Sequence, residues 1–524
     1  MSNHSFDIFR KLSLLISKGI HLSDVLNFMG IDRVYIYGIG EMGKIVLSDL
    51  SGRFSVPMIF DQNADEQKHI TFQTKINEQN EAVEYSFEIF SPSNIPDNSV
   101  PILITPATCY YEILTELREK GIKKQRLLSL NLLLYYGIYF QKELLSKISV
   151  QKFPLREYLI VGGQFSNKGS QFMIFTAVNE IKNRYQDALV WFCPNFWDDE
   201  YQQENKYKIL ILPDGADVHS TLYELLPRLD GIIDVSGYAL ASHGRINETK
   251  RYMNYLQLAK SFQISYYIMP QSFGPFDYDE KTKEELISLL SFAKVIYARE
   301  REGYRLLVDH FHLTNVKYSK DLVLQNKNIS LKNIYRNLDD DLKIYQKYNI
   351  FTENNVAVIP NIQNYRYGNQ EKVLQMYIDI VQKLMSLGRE VYIISYSEDW
   401  DVCEDIFEAV KKNKKAHLYN EEFDCIEFGE LIRNFHYVIA SRFHAVVHAY
   451  KEYKPCVVIG WAEKYKELLK SFHQEKFVFN VQEFLDKENI LQAVEYLDQE
   501  YEKESRVIAS IMPSMQKENC FDVI

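Results

Sequence analysis

The sequence predicts an α/β protein built from two Rossmann-like halves behind a small N-terminal Rossmann-like unit. Short apolar runs of strand length alternate with helical stretches in three successive series along the chain. Glycine-rich turns follow predicted strands at 38–43 and 162–169, and each opens a predicted helix. A polar, charged stretch at 325–349 separates the last two series and is typical of a linker.

The length of the chain supports this division. At 524 residues it is too long for one ordinary hydrophobic core, so two or three domains are expected. A polar, proline-containing break near 146–154 gives the first boundary, and the stretch at 325–349 gives the second. We therefore predict an N-terminal domain at 1–148, a first half at 149–340, and a second half at 341–524 that ends in helices.

The first glycine-rich turn fits a nucleotide-binding fingerprint. It follows the predicted strand Val34–Tyr37 and contains Gly38, Gly40 and Gly43. Asp61 ends the next predicted strand, where it is placed for a ribose hydroxyl. Rossmann units also keep such glycines for packing alone, and this unit has no dehydrogenase-like catalytic half. A nucleotide or nucleotide-sugar site and a purely structural turn both stay open.

Three loops of the second series follow predicted strands and are candidate binding elements. Asn167 and Gly169 lie in the second glycine-rich turn, whose N–H groups suit a ligand but whose glycines also suit tight packing. Gln271 and Ser272 lie in a loop that two prolines and a glycine make rigid. His243 also lies in a loop beyond a predicted strand. Because ligands of such sheets bind at the carboxyl ends of the strands, all three loops are expected near the cleft.

The third series contains the strongest candidate site. Tyr437–Ala440 is a predicted strand, Ser441 is a predicted N-cap, and a helix is expected to follow. Arg442 and His444 therefore lie at a strand-to-helix junction, where free N–H groups and the helix dipole favour an anion. An Arg fork beside an imidazole suits a phosphate or a carboxylate. The alternative is an arginine that caps a neighbouring helix and a histidine that packs.

The composition argues against several classes of function. A net charge of −11 without a basic stripe argues against nucleic acid as a partner. Six scattered cysteines without Cys-x-x-Cys spacing argue against zinc and disulfides, and fit a reducing compartment. Ala445 stands where a zinc protease would have glutamate between His444 and His448, so no metal is expected. No apolar run approaches the roughly 18 residues of a membrane span.

Short motifs follow one another in a fixed order along residues 155–475. They are Gly162–Gly169, Asp234–Gly237, Pro270–Pro275, Ala298–Glu300, Asp321, Ser441–His444 and Ile459–Tyr465. In kind and order these segments resemble the polysaccharide pyruvyl transferase family. Ser170 and Tyr238 depart from the residues common at those positions in the family, and both changes bear on the acceptor side.

The resemblance implies a glycosyltransferase-B-type fold and an enzyme that transfers a pyruvyl group from phosphoenolpyruvate to a sugar, forming a ketal. The donor carries a phosphate and a carboxylate, so it requires several cations or N–H groups. Arg442, His444 and Ser441 form the first predicted anion site, and Arg299 in the other half supplies the second. Arg442 and His444 are also the predicted catalytic residues, since a histidine that titrates near neutrality serves as an acid or helps phosphate leave.

The remaining expectations concern the acceptor, the partners and the location. The acceptor is expected to be a sugar or lipid-linked glycan of a surface-polysaccharide precursor, with no cofactor besides the donor substrate. Residues assigned to the acceptor side or to its loops are Asn167, Gly169, Gln271, Ser272 and His243. The expected location is the cytoplasm, including the inner face of the membrane if the acceptor is lipid-linked, and the oligomeric state is left open. A nucleotide-sugar glycosyltransferase of the same fold and a catalytically silent sugar- or nucleotide-binding protein remain alternatives.

Overall fold

The computed structural model contains three sheets, which follow one another along the chain. The residues that it describes are 3–64, 69–75, 82–146, 156–195, 206–212, 216–242, 246–337, 354–419, 421–483 and 486–524. Among these residues, sixteen pairs of neighbouring strands are hydrogen-bonded within the sheets. All of these pairs are parallel except β3 with β4, which is antiparallel. The predicted α/β class with two Rossmann-like halves is confirmed.

The N-terminal unit holds a six-stranded sheet in the order β3-β4-β2-β1-β5-β6. Its strands are β1 (Tyr35–Tyr37), β2 (Ile59–Phe60), β3 (His69–Lys75), β4 (Ala82–Phe90), β5 (Ile102–Ile104) and β6 (Leu127–Ser129). Its helices are Asn3–Ser17, Leu22–Phe28, Glu41–Leu50, Tyr110–Glu119, Leu130–Tyr139 and Gln141–Leu145. The antiparallel β3–β4 pair extends one edge of the sheet and was not predicted from the sequence.

The middle unit holds a seven-stranded parallel sheet in the order β13-β12-β11-β10-β7-β8-β9. Its strands are β7 (Glu157–Val161), β8 (Leu189–Cys193), β9 (Leu210–Ile211), β10 (Gly231–Asp234), β11 (Ser265–Gln271), β12 (Val295–Ala298) and β13 (Val316–Tyr318). Its helices are Lys168–Arg184, Ala216–Leu225, Ile246–Phe262, Glu280–Phe292, Arg301–Arg305, Leu322–Gln325 and Leu331–Ile334, with a π-helical continuation at Leu306–His310.

The C-terminal unit holds a six-stranded parallel sheet in the order β16-β15-β14-β17-β18-β19. Its strands are β14 (Asn355–Ile359), β15 (Glu390–Ile394), β16 (Ala416–Tyr419), β17 (Val438–Ala440), β18 (Cys456–Gly460) and β19 (Val478–Asn480). Its helices are Ile362–Tyr367, Gln370–Ser386, Trp400–Val410, Cys425–Arg433, Phe443–Lys451, Glu463–Ser471 and Lys487–Met515. The central strands β14, β17 and β18 are wholly buried and, apart from Asn355, apolar, as expected for parallel strands covered by helices on both faces.

Strand order identifies where each of the last two sheets can hold a ligand. In both sheets, the first three strands in chain order run from the centre of the sheet to one edge. The fourth strand then pairs with the opposite side of the first strand. The resulting reversal lies between β7 and β10 in the middle unit and between β14 and β17 in the C-terminal unit. Crevices at such reversals, at the carboxyl ends of the strands, are the usual ligand sites of open α/β sheets.

The N-terminal unit shares a continuous apolar core with one face of the middle sheet. Trp191 of β8 packs edge-on against Tyr136 and donates to Glu157 Oε2 at 3.0 Å. The Tyr136 hydroxyl donates to the same oxygen at 2.7 Å, and Arg228 Nε donates to Glu157 Oε1 at 2.6 Å. A chain cut near residue 149 would therefore expose this core and leave buried Glu157 without one of its donors.

The predicted linker is corrected in part. Residues up to 337 pack on both halves: Asn333 Nδ2 donates to Asn179 Oδ1 at 3.0 Å, and the Tyr335 hydroxyl donates to Asp424 Oδ2 at 2.6 Å. The first bond holds the segment on the middle unit, and the second crosses to the C-terminal unit and ties the two halves together. The rest of the stretch at 325–349, and the break at 147–154, lie outside the described residues. No helix in the described part of the chain is long and apolar enough to span a bilayer.

Candidate functional site

The two halves meet where the turn after β7 touches the turn after β17. Asn167 caps the Lys168–Arg184 helix, because its Oδ1 accepts from the N–H groups of Gly169 and Ser170 at 3.1 and 3.2 Å. The His444 ring packs directly on this first turn: a Cβ added at Gly169 would lie 2.3 Å from His444 Nδ1. Only glycine therefore fits there, and Asn167 and Gly169 shape the contact between the halves.

The structure corrects the predicted cap of the helix after β17. The helix begins at Phe443, with Arg442 in the N-cap position and no side-chain cap. Ser441 is fully buried, and its hydroxyl pairs with the Tyr377 hydroxyl at 2.6 Å. Its carbonyl accepts from the Tyr465 hydroxyl at 2.9 Å. Ser441 thus fixes the junction through buried hydrogen bonds, and its hydroxyl does not face the cleft.

Arg442 is held by a carboxylate that the sequence did not reveal. Its Nε donates to Asp399 Oδ2 at 2.8 Å and its Nη2 to Oδ1 at 2.5 Å. Asp399 is fully buried after β15, and Oδ1 also accepts from the Ile362 N–H at 2.9 Å. Burial acts to lower the pKa of Arg442, but the Asp399 pair outweighs it and raises that pKa above its ordinary value. Arg442 therefore stays charged, with two of its three nitrogens already paired.

His444 differs from the near-neutral acid expected from the sequence. Its side chain is 16% exposed, and Nε2 lies 3.8 Å from Asp321 Oδ2, beyond hydrogen-bond distance. Within the described residues Nε2 has no hydrogen-bond partner. Burial is the largest cause that lowers the pKa of His444 to about 4, although Asp321 acts in the opposite direction. The imidazole is therefore neutral at pH 7 in the free protein.

The depressed pKa of His444 predicts a pH dependence of stability. Because the unfolded chain binds this proton near pH 6.5 and the folded chain only near pH 4, protons favour unfolding in between. We expect no contribution above about pH 6.5 and a loss of about 3 kcal/mol as the pH falls to about 4. Urea titrations across this range should give a shallower pH slope for His444→Asn than for the wild type. Equal slopes for the two proteins would contradict the prediction.

Arg299, the predicted second cation, lies at the carboxyl end of β12 with all three nitrogens engaged. Nη1 donates to Asp321 Oδ2 at 3.0 Å, Nε to Glu300 Oε1 at 2.8 Å, and Nη2 to Ser272 Oγ at 2.7 Å. Its guanidinium also lies 4.7 Å from the centre of the Phe443 ring, so it reaches across to the other half. Ser272, which was predicted for the acceptor side, therefore contacts Arg299, the cation predicted to bind the donor substrate.

Gln271 is fully enclosed beneath the loop that follows it. It is 1% exposed, and its Oε1 accepts from the Ser236 hydroxyl at 2.6 Å. This bond joins the carboxyl ends of β10 and β11, so Gln271 braces the cleft wall from behind. His243, the remaining predicted acceptor-side residue, lies outside the described residues.

Three cations and three carboxylates (Glu300, Asp321 and Glu467) line a small cavity of about 40 Å³ around Phe443, which we call the cationic pocket after its Arg and Lys side chains. Arg299 and Lys320 come from the middle unit, and Lys464 comes from the C-terminal unit. Lys464 Nζ lies 5.5 Å from the centre of the Phe443 ring. Both Arg299 and Lys464 act to lower the pKa of His444, which places their charges close to that ring. The pocket therefore joins cations of both halves beside His444.

A larger cavity of about 890 Å³ adjoins the cationic pocket, and we call it the aromatic chamber. Its aromatic lining residues are Tyr238, Phe273, Phe276, Phe311, Tyr367 and Trp461. Tyr367 and Trp461 stack with ring centres 4.3 Å apart and planes 12° apart. The two cavities share Glu300, Lys464 and Glu467 as lining residues. Tyr238, one of the departures from the family pattern, thus lies in the larger one.

A third cavity, of about 390 Å³, lies between the halves near the carboxyl ends of β15 and β16. Lys168 and Lys206 line it, but so do five carboxylates: Glu398, Glu421, Glu422, Asp424 and Glu427. Lys206 already pairs with Asp424 at 3.2 Å. Two lysines against five carboxylates give this cavity a net negative lining, whereas the three cations and three carboxylates of the cationic pocket balance, so the cationic pocket suits an anionic ligand better.

The N-terminal glycine turn is explained largely by packing. A Cβ at Gly38 would lie 2.4 Å from Pro106 Cγ, and one at Gly43 would lie 2.1 Å from the Gly38 carbonyl oxygen. Gly40 has nothing within 4 Å of such a Cβ. The Asp61 carboxylate accepts from the N–H groups of Ile39 and Asn63, each at 2.8 Å, and so holds the turn. Nucleotide binding at this turn stays a prediction.

Solved structures with a similar fold are distant in sequence. They include UDP-GlcNAc 2-epimerases from Methanocaldococcus jannaschii (13% identity, 65% of this chain and 92% of that chain, TM-score 0.44) and Neisseria meningitidis (12%, 70% and 95%, 0.45). A glycosyltransferase from Rickettsia africae is similar at 12% identity, over 71% of this chain and 98% of that chain, with a TM-score of 0.43. Curated proteins give no significant match. The family model described as polysaccharide pyruvyl transferase matches residues 167–463, more than half of the sequence, and the chain belongs to this family.

Proposed function

We propose that this protein transfers a pyruvyl group from phosphoenolpyruvate to a sugar of a surface-polysaccharide precursor and forms a pyruvate ketal. The observation that carries the proposal is the position of the cationic pocket directly beside the aromatic chamber. Membership of the pyruvyl transferase family supports a transferase that acts on polysaccharide. The geometry adds three cations around a cavity of about 40 Å³, which admits only part of an anion, beside a larger cavity with room for a ring-shaped ligand.

The donor is assigned to the boundary between the two compartments. Phosphoenolpyruvate carries a phosphate and a carboxylate, and Arg299, Lys320 and Lys464 supply positive charge from both halves. The neutral His444 ring lines neither cavity, but its Nε2 lies 3.8 Å from Asp321 Oδ2 of the cationic pocket and has no partner among the described residues, so we assign to it a hydrogen bond to the phosphate in the tautomer that carries the proton there. Arg442 adds its charge at the N-terminus of the Phe443–Lys451 helix.

The acceptor is assigned to the aromatic chamber. A volume of about 890 Å³ lies in the upper part of the range for small-molecule sites and leaves room for more than one sugar ring. Aromatic side chains supply large, rigid contact area at little cost in conformational entropy, and the Tyr367–Trp461 stack is such a surface. We place the sugar against this stack, with its reacting hydroxyl toward Glu300 and the cationic pocket.

The reaction balances without a redox partner. The methylene carbon of phosphoenolpyruvate gains a proton and becomes a methyl group. A sugar hydroxyl oxygen bonds to the neighbouring carbon, which carries the phosphate. The bond from that carbon to the phosphate oxygen then breaks, and a second hydroxyl of the sugar replaces it. Two hydroxyl protons are released, of which one balances the new methyl group and one leaves with phosphate. No metal is proposed, and no metal-binding group of three His, Cys, Asp or Glu occurs among the described residues.

The test is phosphate release from phosphoenolpyruvate by the full-length protein in the presence of EDTA. The acceptors are p-nitrophenyl glycosides of neutral hexoses, N-acetylhexosamines and a uronic acid, and mass spectrometry identifies the product. We expect phosphate release only with both substrates and a ketal as product. UDP-sugars with the same acceptors should give no transfer.

Other outcomes point to the alternatives. Transfer from a UDP-sugar would indicate a glycosyltransferase. Sugar or nucleotide binding by calorimetry without any turnover would indicate a binding protein. Activity that EDTA removes and zinc or magnesium restores would contradict a metal-free site.

A further inference from the structure

Glu300 is a carboxylate with one oxygen fully used and the other unused. Oε1 accepts from Arg299 Nε at 2.8 Å and from the Ser272 hydroxyl at 2.9 Å. Oε2 is buried and has no hydrogen-bond partner among the described residues. The side chain is 14% exposed, so bulk water does not satisfy this oxygen. A buried acceptor without a donor is unfavourable, so a ligand that supplies a donor is favoured at this position.

The position of Glu300 indicates which ligand supplies that donor. It lines both the cationic pocket and the aromatic chamber, and so lies at the boundary between them. Its Oε1 contacts fix the carboxylate against Arg299, which in turn contacts Asp321, the carboxylate nearest to His444. A sugar hydroxyl in the chamber that approaches a donor in the pocket would therefore pass this carboxylate.

We propose that Glu300 is a catalytic residue, whose Oε2 accepts the proton of the sugar hydroxyl that attacks phosphoenolpyruvate. This inference rests on the proposed function and assigns its general base. As the oxygen–carbon bond forms, the hydroxyl O–H bond breaks, and its electron pair stays on the attacking oxygen while the proton passes to Oε2. The proton leaves Glu300 with the departing phosphate or to solvent, so the carboxylate is restored after each turnover.

His444 is less well placed for this step. Its Nδ1 edge packs on Gly169, and Nε2 lies 3.8 Å from Asp321 Oδ2, the oxygen that accepts from Arg299 Nη1. The ring lines neither the aromatic chamber nor the cationic pocket. Glu300 lines both cavities, and its buried Oε2 has no donor among the described residues, so this carboxylate is the better acceptor for a hydroxyl proton at their boundary.

The competing explanation is that Glu300 only positions Arg299. Glu300→Gln separates the two roles, because the amide oxygen still accepts from Arg299 and Ser272 but the side chain no longer takes up a proton. Glu300→Ala removes both functions and leaves space for a small carboxylate such as formate. Glu284→Gln, an exposed change of the same charge in the same unit, is the matched control.

The experiment measures kcat with the best p-nitrophenyl glycoside, and the affinity for phosphoenolpyruvate by calorimetry. We expect Glu300→Gln to lower kcat by about 10²–10⁴-fold, the usual contribution of a general base, with donor affinity within about threefold of the wild type. Glu300→Ala should be equally slow and should recover at least about tenfold in sodium formate. Glu284→Gln should match the wild type with and without formate.

The outcomes distinguish this inference from the function on which it rests. A Glu300→Gln protein that keeps more than about a third of wild-type kcat would overturn the role of base alone. A loss of donor affinity as large as the loss of kcat, without formate rescue, would assign Glu300 to positioning Arg299 and overturn it as well. A wild type that binds phosphoenolpyruvate but turns over no glycoside, or does not bind it, would overturn the proposed function and this inference together.

Discussion

Replacing Arg442 by alanine is expected to lower the free energy of unfolding by about 3–5 kcal/mol, the usual cost of leaving one member of a buried ion pair. The expected cost is high because Asp399 is fully buried and both of its oxygens accept from Arg442. The same change should weaken phosphoenolpyruvate binding by about 1.5–3 kcal/mol, since the proposed donor site includes a charge-assisted contact with Arg442 at the helix N-terminus. Arg442→Ala thus combines two losses that must be separated.

A double variant separates them. Arg442→Gln with Asp399→Asn removes both charges and keeps polar groups of similar size, so most of the lost stability should return. Donor affinity should stay low, because the cation is still missing. Urea denaturation gives the first quantity and calorimetry with phosphoenolpyruvate gives the second. An Arg442→Ala protein as stable as the wild type would contradict the stabilising role of the ion pair. A double variant with wild-type donor affinity would contradict the role of Arg442 in donor binding.

The placement of the site residues was predictable from local patterns, because strand-to-helix junctions leave their own signals in the sequence. The sequence alone predicts the turn after β17, with Arg442 and His444, and the end of β12, with Arg299, and the structure has both at these positions. The carboxyl ends of parallel strands meet at one edge, so their convergence at the cleft followed as well.

The partners of these residues were not predictable, because they depend on contacts between distant segments. Asp399 precedes Arg442 by 43 positions and looks like an ordinary N-cap of the Trp400–Val410 helix. The low pKa of His444 arises from burial between two halves, which no local pattern reports. The aromatic chamber likewise combines residues that follow strands of both sheets, and the β3–β4 pair lacked a glycine-rich signal of the kind that marked the other turns.

The contact between the halves gives the second large effect. Gly169→Ala is expected to lower kcat about 10²-fold, because a Cβ would lie 2.3 Å from His444 Nδ1 and must displace the ring or the halves. Alanine is otherwise favoured over glycine inside a helix by about 1 kcal/mol, and Gly169 lies in the first turn of the Lys168–Arg184 helix. Helix propensity alone would make Gly169→Ala favourable, so a loss of activity would have to come from the contact with His444 in the cleft.

Gly429→Ala is the matched control, since Gly429 lies in the Cys425–Arg433 helix with nothing within 4 Å of an added Cβ. It should raise the free energy of unfolding by up to about 1 kcal/mol and leave kcat unchanged. Both variants are measured for phosphate release and for unfolding in urea. If Gly169→Ala behaves like Gly429→Ala in both assays, the His444 ring does not press on this turn when the protein works. A kcat loss confined to Gly169→Ala would instead mean that catalysis depends on how closely the two halves approach at His444, because no charged or hydrogen-bonding group has been removed.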